Sequence, residues 1–173
     1  MDRIPLPIEP DQATGRLPFA ADYLAYLLAR ASHLISRHFH AHLAERGVPV
    51  SEWRVLGILS HGEGMTVGEL ARLGLFKQPT LTKLLDRLED QGLVRRRPCP
   101  DDRRKVGLVL TGAGRALVDE LMVEARRHED EVLAACVGDT PVAGLKADVR
   151  RLIVALEGRV APRIRAPSSC PTS

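Results

Sequence analysis

Residues 66–97 read TVGELARLGLFKQPTLTKLLDRLEDQGLVRRR, and they carry two helical patterns separated by a turn. The first pattern opens on a capping box, in which the side chain of Thr66 bonds the backbone of Glu69 and the Glu69 side chain bonds back to Thr66. The second pattern has Pro79 in its first turn, where the missing N–H costs nothing, and Gly92 just past its end. A short helix, a turn and a longer helix with polar residues at its start predict a helix-turn-helix.

The residues that follow change from a helical period to an alternating one. Residues 93–97 and 106–110 each predict a short strand, and a polar loop containing two prolines joins them. Two strands around such a loop form a β-hairpin, which makes the helix-turn-helix winged. Thr111 is expected to cap the next helix. The sequence therefore predicts a mainly α fold that contains a winged helix-turn-helix DNA-binding lobe with a two-strand wing.

Helical patterns also flank this lobe on both sides. A long pattern from Phe19 to Glu45 carries an apolar stripe made of Leu24, Leu28, Ala31, Ile35 and Leu43. Ser51 is expected to cap a second helix that ends near residues 61–62. The predicted organisation is a flexible arm at 1–18, helical regions at 19–47 and 112–158, the winged lobe at 50–111, and a flexible tail at 159–173.

Charge is distributed unevenly along the chain of 173 residues, whose formal net charge is only +3. Residues 77–105 hold nine Lys or Arg against five Asp or Glu, whereas residues 112–158 hold six against nine. A run of charge is by itself typical of any solvated surface. Its coincidence with a predicted helix-turn-helix favours DNA as the partner.

The composition argues against several other classes of protein. No apolar run reaches the roughly 20 residues that cross a bilayer, and the N-terminus lacks the apolar core of a secretory signal. Cys99, Cys136 and Cys170 are few and widely spaced, which argues against a disulfide framework or a metal knuckle. No Gly-rich phosphate loop, G-x-S-x-G or H-E-x-x-H motif occurs. We therefore expect a cytoplasmic protein that is not an enzyme and has no cofactor, metal site or membrane partner.

The second helix of the helix-turn-helix, which has Pro79 in its first turn, carries at its start the residues best suited to read DNA bases. Adenine is read by Asn or Gln, and guanine is read by Arg or Lys. The chain contains no Asn, so Gln78 is the amide available near this end of the helix, and Lys83 is the matching cation. Thr80 and Thr82 can contact thymine methyl groups or phosphate. Arg87 can contact DNA or pair with acidic neighbours on the helix surface.

The quoted runs resemble the MarR family of bacterial winged-helix regulators. The resemblance rests on TVGELA at 66–71, QPTLTKLLDRLE at 78–89, GLVRR at 92–96, and the wing motif DRR at 102–104 followed by LVLT at 108–111. It implies a homodimer formed by the first helix and the last two helices. It also implies a palindromic operator and release of the protein from DNA by a small ligand.

The resemblance further assigns roles within the wing. It implies that Arg104 enters the minor groove and that Asp102 holds it there. A narrow A·T-rich minor groove concentrates negative potential, which suits an inserted arginine. The other basic residues of the hairpin are expected to flank the DNA backbone and the neighbouring minor groove, namely Arg95, Arg96, Arg97, Arg103 and Lys105.

The first two helices contain five of the six aromatic residues, and four of the six histidines lie in the first helix. His38 and His42 are four residues apart and continue the apolar stripe, so we expect them to face inward beside Tyr23 and Trp53. Such a group suits a pocket for an aromatic carboxylate, because histidine can donate a hydrogen bond or a charge. The histidines could equally pack at an interface. The same spacing also suits a metal ion, although no third ligand is evident.

The sequence thus predicts a sequence-specific transcriptional regulator, in the form of a repressor released by an aromatic acid or its thioester. Its expected partners are double-stranded palindromic DNA, a second copy of the chain and a small-molecule effector. Two alternatives remain open, a metal-responsive regulator and a winged-helix interaction module without an effector. An interaction module would show no fall of DNA affinity with salt.

Overall fold

The computed structural model describes residues 18–62, 64–98, 106–137 and 142–160. Its elements in chain order are α1 (Phe19–Asp22), α2 (Leu24–Glu45), α3 (Val50–Leu59), β1 (Met65–Thr66), α4 (Val67–Gly74), α5 (Gln78–Asp90), β2 (Val94–Pro98), β3 (Val106–Leu110), α6 (Gly112–Val137) and α7 (Val142–Val160). The order confirms a mainly α fold with a winged helix-turn-helix.

The two wing strands pair as predicted, and a short third strand joins them. Strand β2 pairs with β3 in antiparallel register, with Arg96 opposite Leu108, and β1 pairs with the other side of β3. The spatial order is therefore β1-β3-β2. A β-carbon at Gly107 would lie 2.9 Å from the Cα of Gly64, so this close approach of two backbones requires glycine. The third strand ties the base of the wing to the start of α4.

The helix-turn-helix begins and ends as the sequence indicates. The Thr66 N–H donates to Glu69 Oε2 at 2.8 Å, and the Glu69 N–H donates to Thr66 Oγ1 at 3.3 Å, which completes the capping box. Helix α5 ends at Asp90, and Gly92 follows with φ +70°, a conformation that favours glycine. Between α4 and α5 the left-handed position is taken by Leu75, with φ 56° and ψ 38°.

The core of the winged lobe lies between α3, α4, α5 and the sheet. Helix α5 contributes Leu81, Leu84, Leu85 and Leu88, which pack with residues of α3 such as Leu56. A second, smaller cluster of Phe39, Leu43 and Leu121 joins α2 to α6. Trp53 and Leu117 pack against both clusters, so the winged lobe and the long helices share a continuous apolar contact.

Some predicted helix boundaries are wrong. The first helix is interrupted at Tyr23, which has extended backbone angles, and this divides α1 from α2. Ser51 is not an N-cap, because α3 begins at Val50 after Pro49, whose backbone occupies the cap position without a side-chain hydrogen bond. Thr111 does cap α6, accepting the Gly114 N–H at 3.0 Å. The predicted arm and tail lie outside the described residues, except for Pro18 at one end and residues 159–160 at the other.

Much of the predicted apolar stripe of the first helix is exposed. Of the stripe residues only Leu43 is buried, beside its flanking neighbour Phe39, whereas Leu24 and Leu28 are exposed. Helix α7 exposes a similar set of large apolar side chains, namely Leu145, Ile153, Val154 and Leu156. Exposed apolar surface of this kind marks an interaction face.

Candidate DNA interface and effector cleft

Helix α5 is divided into a buried leucine face and an exposed polar face. Gln78, Thr80, Thr82 and Lys83 are all exposed at its N-terminal end. The Thr82 hydroxyl donates to the backbone oxygen of Gln78 at 3.1 Å, so its proton is used within the helix while the side chain remains exposed. Four of the predicted base-reading residues thus share one exposed end of a helix whose other face is fixed in the core.

The backbone at this end of α5 is also available to an anion. Lys77 occupies the N-cap position and makes no side-chain capping bond. The first N–H groups of a helix point along its axis and carry partial positive charge, so they suit a phosphate oxygen. Lys77 is itself exposed, which places a cation beside those groups.

Arg87 lies further along α5 and has an ion-pair partner that sequence reasoning missed. Its Nη2 atom lies 2.6 Å from Oε1 of Glu52, which belongs to α3. The predicted pairing of Arg87 with an acidic residue on its own helix is therefore wrong. The prediction that Arg87 contacts DNA remains a prediction, but the guanidinium already binds within the protein.

The three arginines of β2 separate by the alternation of the strand. Arg95 and Arg97 are exposed, whereas Arg96 is half-buried and turns towards α5. The Arg96 Nη2 atom donates to Asp86 Oδ1 at 2.7 Å, and its backbone N–H donates to Glu89 Oε1 at 2.9 Å. The hydrogen bond to Asp86, with Glu89 nearby, raises the pKa of Arg96 above its usual value. Arg96 therefore fastens the wing to α5.

The predicted wing-tip residues Asp102, Arg103, Arg104 and Lys105 lie outside the described residues. Within the described ranges, the cations of this face that form no ion pair are Lys77, Lys83, Arg95 and Arg97. These four side chains border the exposed end of α5 and the outer face of β2. Lys77 and Lys83 belong to the exposed end of α5, whereas Arg95 and Arg97 lie on the face of β2 opposite to Arg96, which contacts α5.

The four predicted effector residues do not converge in one chain. Tyr23 stacks on Phe19 with ring centroids 4.7 Å apart at the start of α2. Trp53 packs edge-on against Phe39, which is 16 residues further along the chain than Tyr23, or roughly 24 Å along a helix axis. Tyr23 and Trp53 therefore do not share a pocket within one chain, and the assignment of the four residues to an effector site stays a prediction.

The two histidines lie on the seam between α2 and α6 rather than in a pocket. His42 Nε2 donates to Glu124 Oε2 at 2.7 Å, while His38 is exposed and meets the ring of His128 edge-on at 6.1 Å. The hydrogen bond from His42, together with Arg46, lowers the pKa of Glu124. Across the described ranges, no group of three or more His, Cys, Asp or Glu side chains could hold a metal ion.

The structure instead shows a cleft between α3, α4 and α6. Its volume is about 460 Å³, and Trp53 is the one predicted effector residue that lines it. The other lining residues are Arg54, Gly57, Ile58, His61, Met65, Leu73 and Met122. Five of the eight lining residues, between Trp53 and His61, follow the helical period of α3, but no sequence pattern groups them with Met65, Leu73 and Met122.

Arg54 and His61 supply the polar chemistry of the cleft. The Arg54 guanidinium lies 5.7 Å from the centre of the Phe76 ring, a cation–π distance. The His61 Nδ1 atom lies 2.8 Å from the backbone oxygen of Gly57. Because a carbonyl oxygen only accepts, Nδ1 carries the proton and Nε2 remains available to a ligand. Apolar walls with a guanidinium and an imidazole suit a small organic anion.

None of the described helices is both long enough and apolar enough to cross a membrane.

The comparisons with known proteins agree with this architecture. A family model described as MarR family matches residues 46–105. The crystal structure of the MarR family regulator SPO1453 from Silicibacter pomeroyi DSS-3 is 40% identical, with a TM-score of 0.71 over 80% of this chain and 98% of its own. The transcriptional repressor Rv2887 of Mycobacterium tuberculosis is 32% identical over 111 residues, which cover 64% of this chain and 80% of the repressor.

A third relative was solved with a small aromatic acid. NadR in complex with 4-hydroxyphenylacetate is 28% identical, with a TM-score of 0.65 over 72% of this chain and 88% of its own. The winged helix-turn-helix, the basic face of α5 and these similarities agree. The chain therefore belongs to the MarR family, whose members are transcriptional regulators and not enzymes.

Proposed function

We propose that this protein is a repressor that binds a palindromic operator as a homodimer and leaves it when an aromatic acid binds. The observation that carries the proposal is the exposed polar end of α5, where Gln78 and Lys83 lie beside free cations. The leucine face of the same helix is fixed in the core, so the polar end can enter a major groove without unfolding.

The exposed apolar side chains of α1, α2 and α7 support a dimer formed by these helices. Phe19, Leu24, Val154 and Leu156 are each more than half exposed in the single chain. Burying them against a second copy would remove apolar surface from water, which favours association. A two-fold dimer presents its two α5 helices to half-sites roughly 34 Å apart, so a palindromic operator follows from the symmetry. The domain division at 19–47, 50–111 and 112–158 is part of this proposal.

The cleft supports an aromatic acid as the effector. Its volume of about 460 Å³ is in the range of small-molecule sites, and its walls include Trp53, Met65 and Met122. Arg54 would bind the carboxylate, and Trp53 would stack on the ring. The 4-hydroxyphenylacetate bound to NadR has this chemistry. The acyl part of a thioester would fit the same walls.

The position of the cleft supports a mechanism for release. It lies between α3 and α4, which support α5, and α6, which packs against α2. A ligand that binds better to a wider cleft would move the winged lobes relative to the helices of the dimer. The two α5 helices would then no longer match successive grooves.

Selection of DNA duplexes from a random pool tests the DNA-binding part. We expect an enriched palindrome, whose binding, measured by fluorescence anisotropy, weakens as salt increases, and transcription from an overlapping promoter should fall. No enrichment, or affinity independent of salt, would favour the interaction module instead. Higher transcription would reverse the assignment as a repressor.

Addition of 4-hydroxyphenylacetate to the protein–DNA complex tests the effector part. We expect loss of the complex for the wild type and for His38→Gln, whose side chain lies outside the cleft. Arg54→Gln should keep the DNA affinity and lose the response. Equal responses of the two variants, in anisotropy and in thermal shift, would contradict the assignment of the cleft.

A further inference from the structure

Glu52 is the one buried charged side chain among the residues that the structure describes, with 4% of its surface exposed. Its carboxylate lies on α3, and its Oε1 atom is 2.6 Å from Nη2 of Arg87 on α5. A carboxylate that has been removed from water requires a countercharge. The Arg87 guanidinium supplies that charge, so its movement to a DNA phosphate would leave Glu52 buried and uncompensated.

The pair joins two helices that pack in the same core. Val55, Leu56 and Leu59 of α3 contact the cluster that contains the leucine face of α5. Arg87 extends from the flank of α5 and connects it to α3 from outside this apolar contact. The leucines resist separation of the helices, whereas a directional ion pair also resists rotation and sliding of α5.

The position of Arg87 along α5 places it away from the base-reading end. It lies nine residues after Gln78, or roughly 13 Å along the helix axis. Lys83 is one turn nearer that end, is exposed and forms no ion pair in the described part of the chain. The two cations therefore occupy neighbouring places on one helix but make different contacts.

We infer that Arg87 acts in DNA recognition as a positioning residue, which holds the angle of α5 through Glu52, and not as a contact to DNA. The inference rests on the proposed DNA-binding function. Loss of the pair lets α5 rotate, so base reading suffers. The free cations that bind the phosphates are unaffected, so the number of phosphate contacts is unchanged.

Fluorescence anisotropy with the duplex enriched by the wild type, and with a scrambled duplex, tests the inference. The variants are Glu52→Gln, Arg87→Gln and the double variant, and Lys77→Gln is the control for loss of a phosphate contact. We expect the ion-pair variants to lose roughly tenfold affinity for the enriched duplex, with little loss for the scrambled one. The double variant should lose no more than the single variants. The dependence of log affinity on log salt should keep its slope.

The control and the alternatives have a different signature. Loss of one phosphate contact per subunit lowers the salt slope by about 1.8 in a dimer, and we expect this for Lys77→Gln. The same change for Arg87→Gln, with unchanged or higher affinity for Glu52→Gln, would overturn the inference and make Arg87 a DNA contact. Unchanged affinity in Glu52→Gln and in the double variant would also overturn it.

Folding does not obscure this test. Arg87→Gln leaves a buried carboxylate without its partner, so it is the variant whose folded state is most destabilised. Glu52→Gln and the double variant leave no buried charge, so the result depends on them. If the wild type enriches no duplex, the proposed function and the inference fail together. If it enriches one and the Glu52→Gln variant binds like the wild type, only the inference fails.

Discussion

Replacement of Leu75 by glycine is expected to stabilise the protein although it removes a large apolar side chain. Leu75 has φ 56°, a left-handed conformation in which an L-residue costs roughly 1–2 kcal/mol. Its side chain is 88% exposed, so its removal forfeits only about 0.3 kcal/mol of burial. Glycine makes the unfolded chain more flexible, at about 0.4–1 kcal/mol. The sum is a gain of about 0.5 kcal/mol, or roughly 1–2 °C in Tm.

Two control variants isolate the backbone contribution in scanning calorimetry. Leu75→Ala removes the same exposed side chain but keeps the strained β-carbon, so its Tm should stay below that of Leu75→Gly. Gly92→Ala introduces a β-carbon at φ +70° where nothing lies within 4 Å, so its net loss of about 1 kcal/mol contains backbone strain and the lower entropy of the unfolded chain but no steric clash. If Leu75→Gly melts no higher than Leu75→Ala, the reasoning from strain is refuted.

Three further changes test other parts of the structure. Leu121 is fully buried in the contact between α2 and α6, so Leu121→Ala should lower the free energy of unfolding by about 2–5 kcal/mol in urea titrations. A loss below about 1 kcal/mol would mean that this contact contributes little to the stability of the fold. Gly74→Ala would place a β-carbon 2.5 Å from the ring of Phe76, so the ring must move and the free energy of unfolding should fall by about 1–3 kcal/mol. The NMR signals of the Phe76 ring should shift, and unchanged signals would contradict this prediction. The hydrogen bond from His42 lowers the pKa of Glu124 in the folded state, so the ionised carboxylate stabilises the protein above the unfolded pKa of about 4.5 and this stabilisation is lost as the pH falls further. The difference in unfolding free energy between the wild type and Glu124→Gln should therefore be largest near neutral pH and shrink below pH 4.5, whereas a difference that does not change with pH would refute the assignment.

Local signals in the sequence predicted the helix-turn-helix well. The capping box at Thr66, the early proline of α5 and Gly92 act within a few residues of themselves, so one stretch of sequence contains all the information that they need. The prediction for Ser51 used a local signal of the same kind, but it was wrong. Serine is typical of an N-cap, yet Ser51 lies inside the first turn, because α3 begins one residue earlier at Val50 and the extended backbone of Pro49 occupies the cap position.

Contacts between distant segments were not predictable from periodicity. The pattern identified Arg87 and Arg96 as polar positions of a helix and a strand, but their partners depend on how α3, α5 and β2 pack together. Likewise, the stripe on the first helix signals apolar contact without stating whether the partner is the same chain. His42 follows that stripe, yet its neighbour Glu124 is 82 residues away.

The arginines of the wing also bear on solubility. Strand β2 is at one edge of the sheet, and no strand pairs with its outer side in the described part of the chain. An uncovered edge invites pairing with the edge of another molecule, and charged side chains and proline discourage it. Arg95, Arg97 and Pro98 lie on this strand. The arginines that we propose to contact DNA thus also keep free molecules from joining edge to edge, so we expect their replacement by valine or isoleucine to cause aggregation in addition to weaker DNA binding.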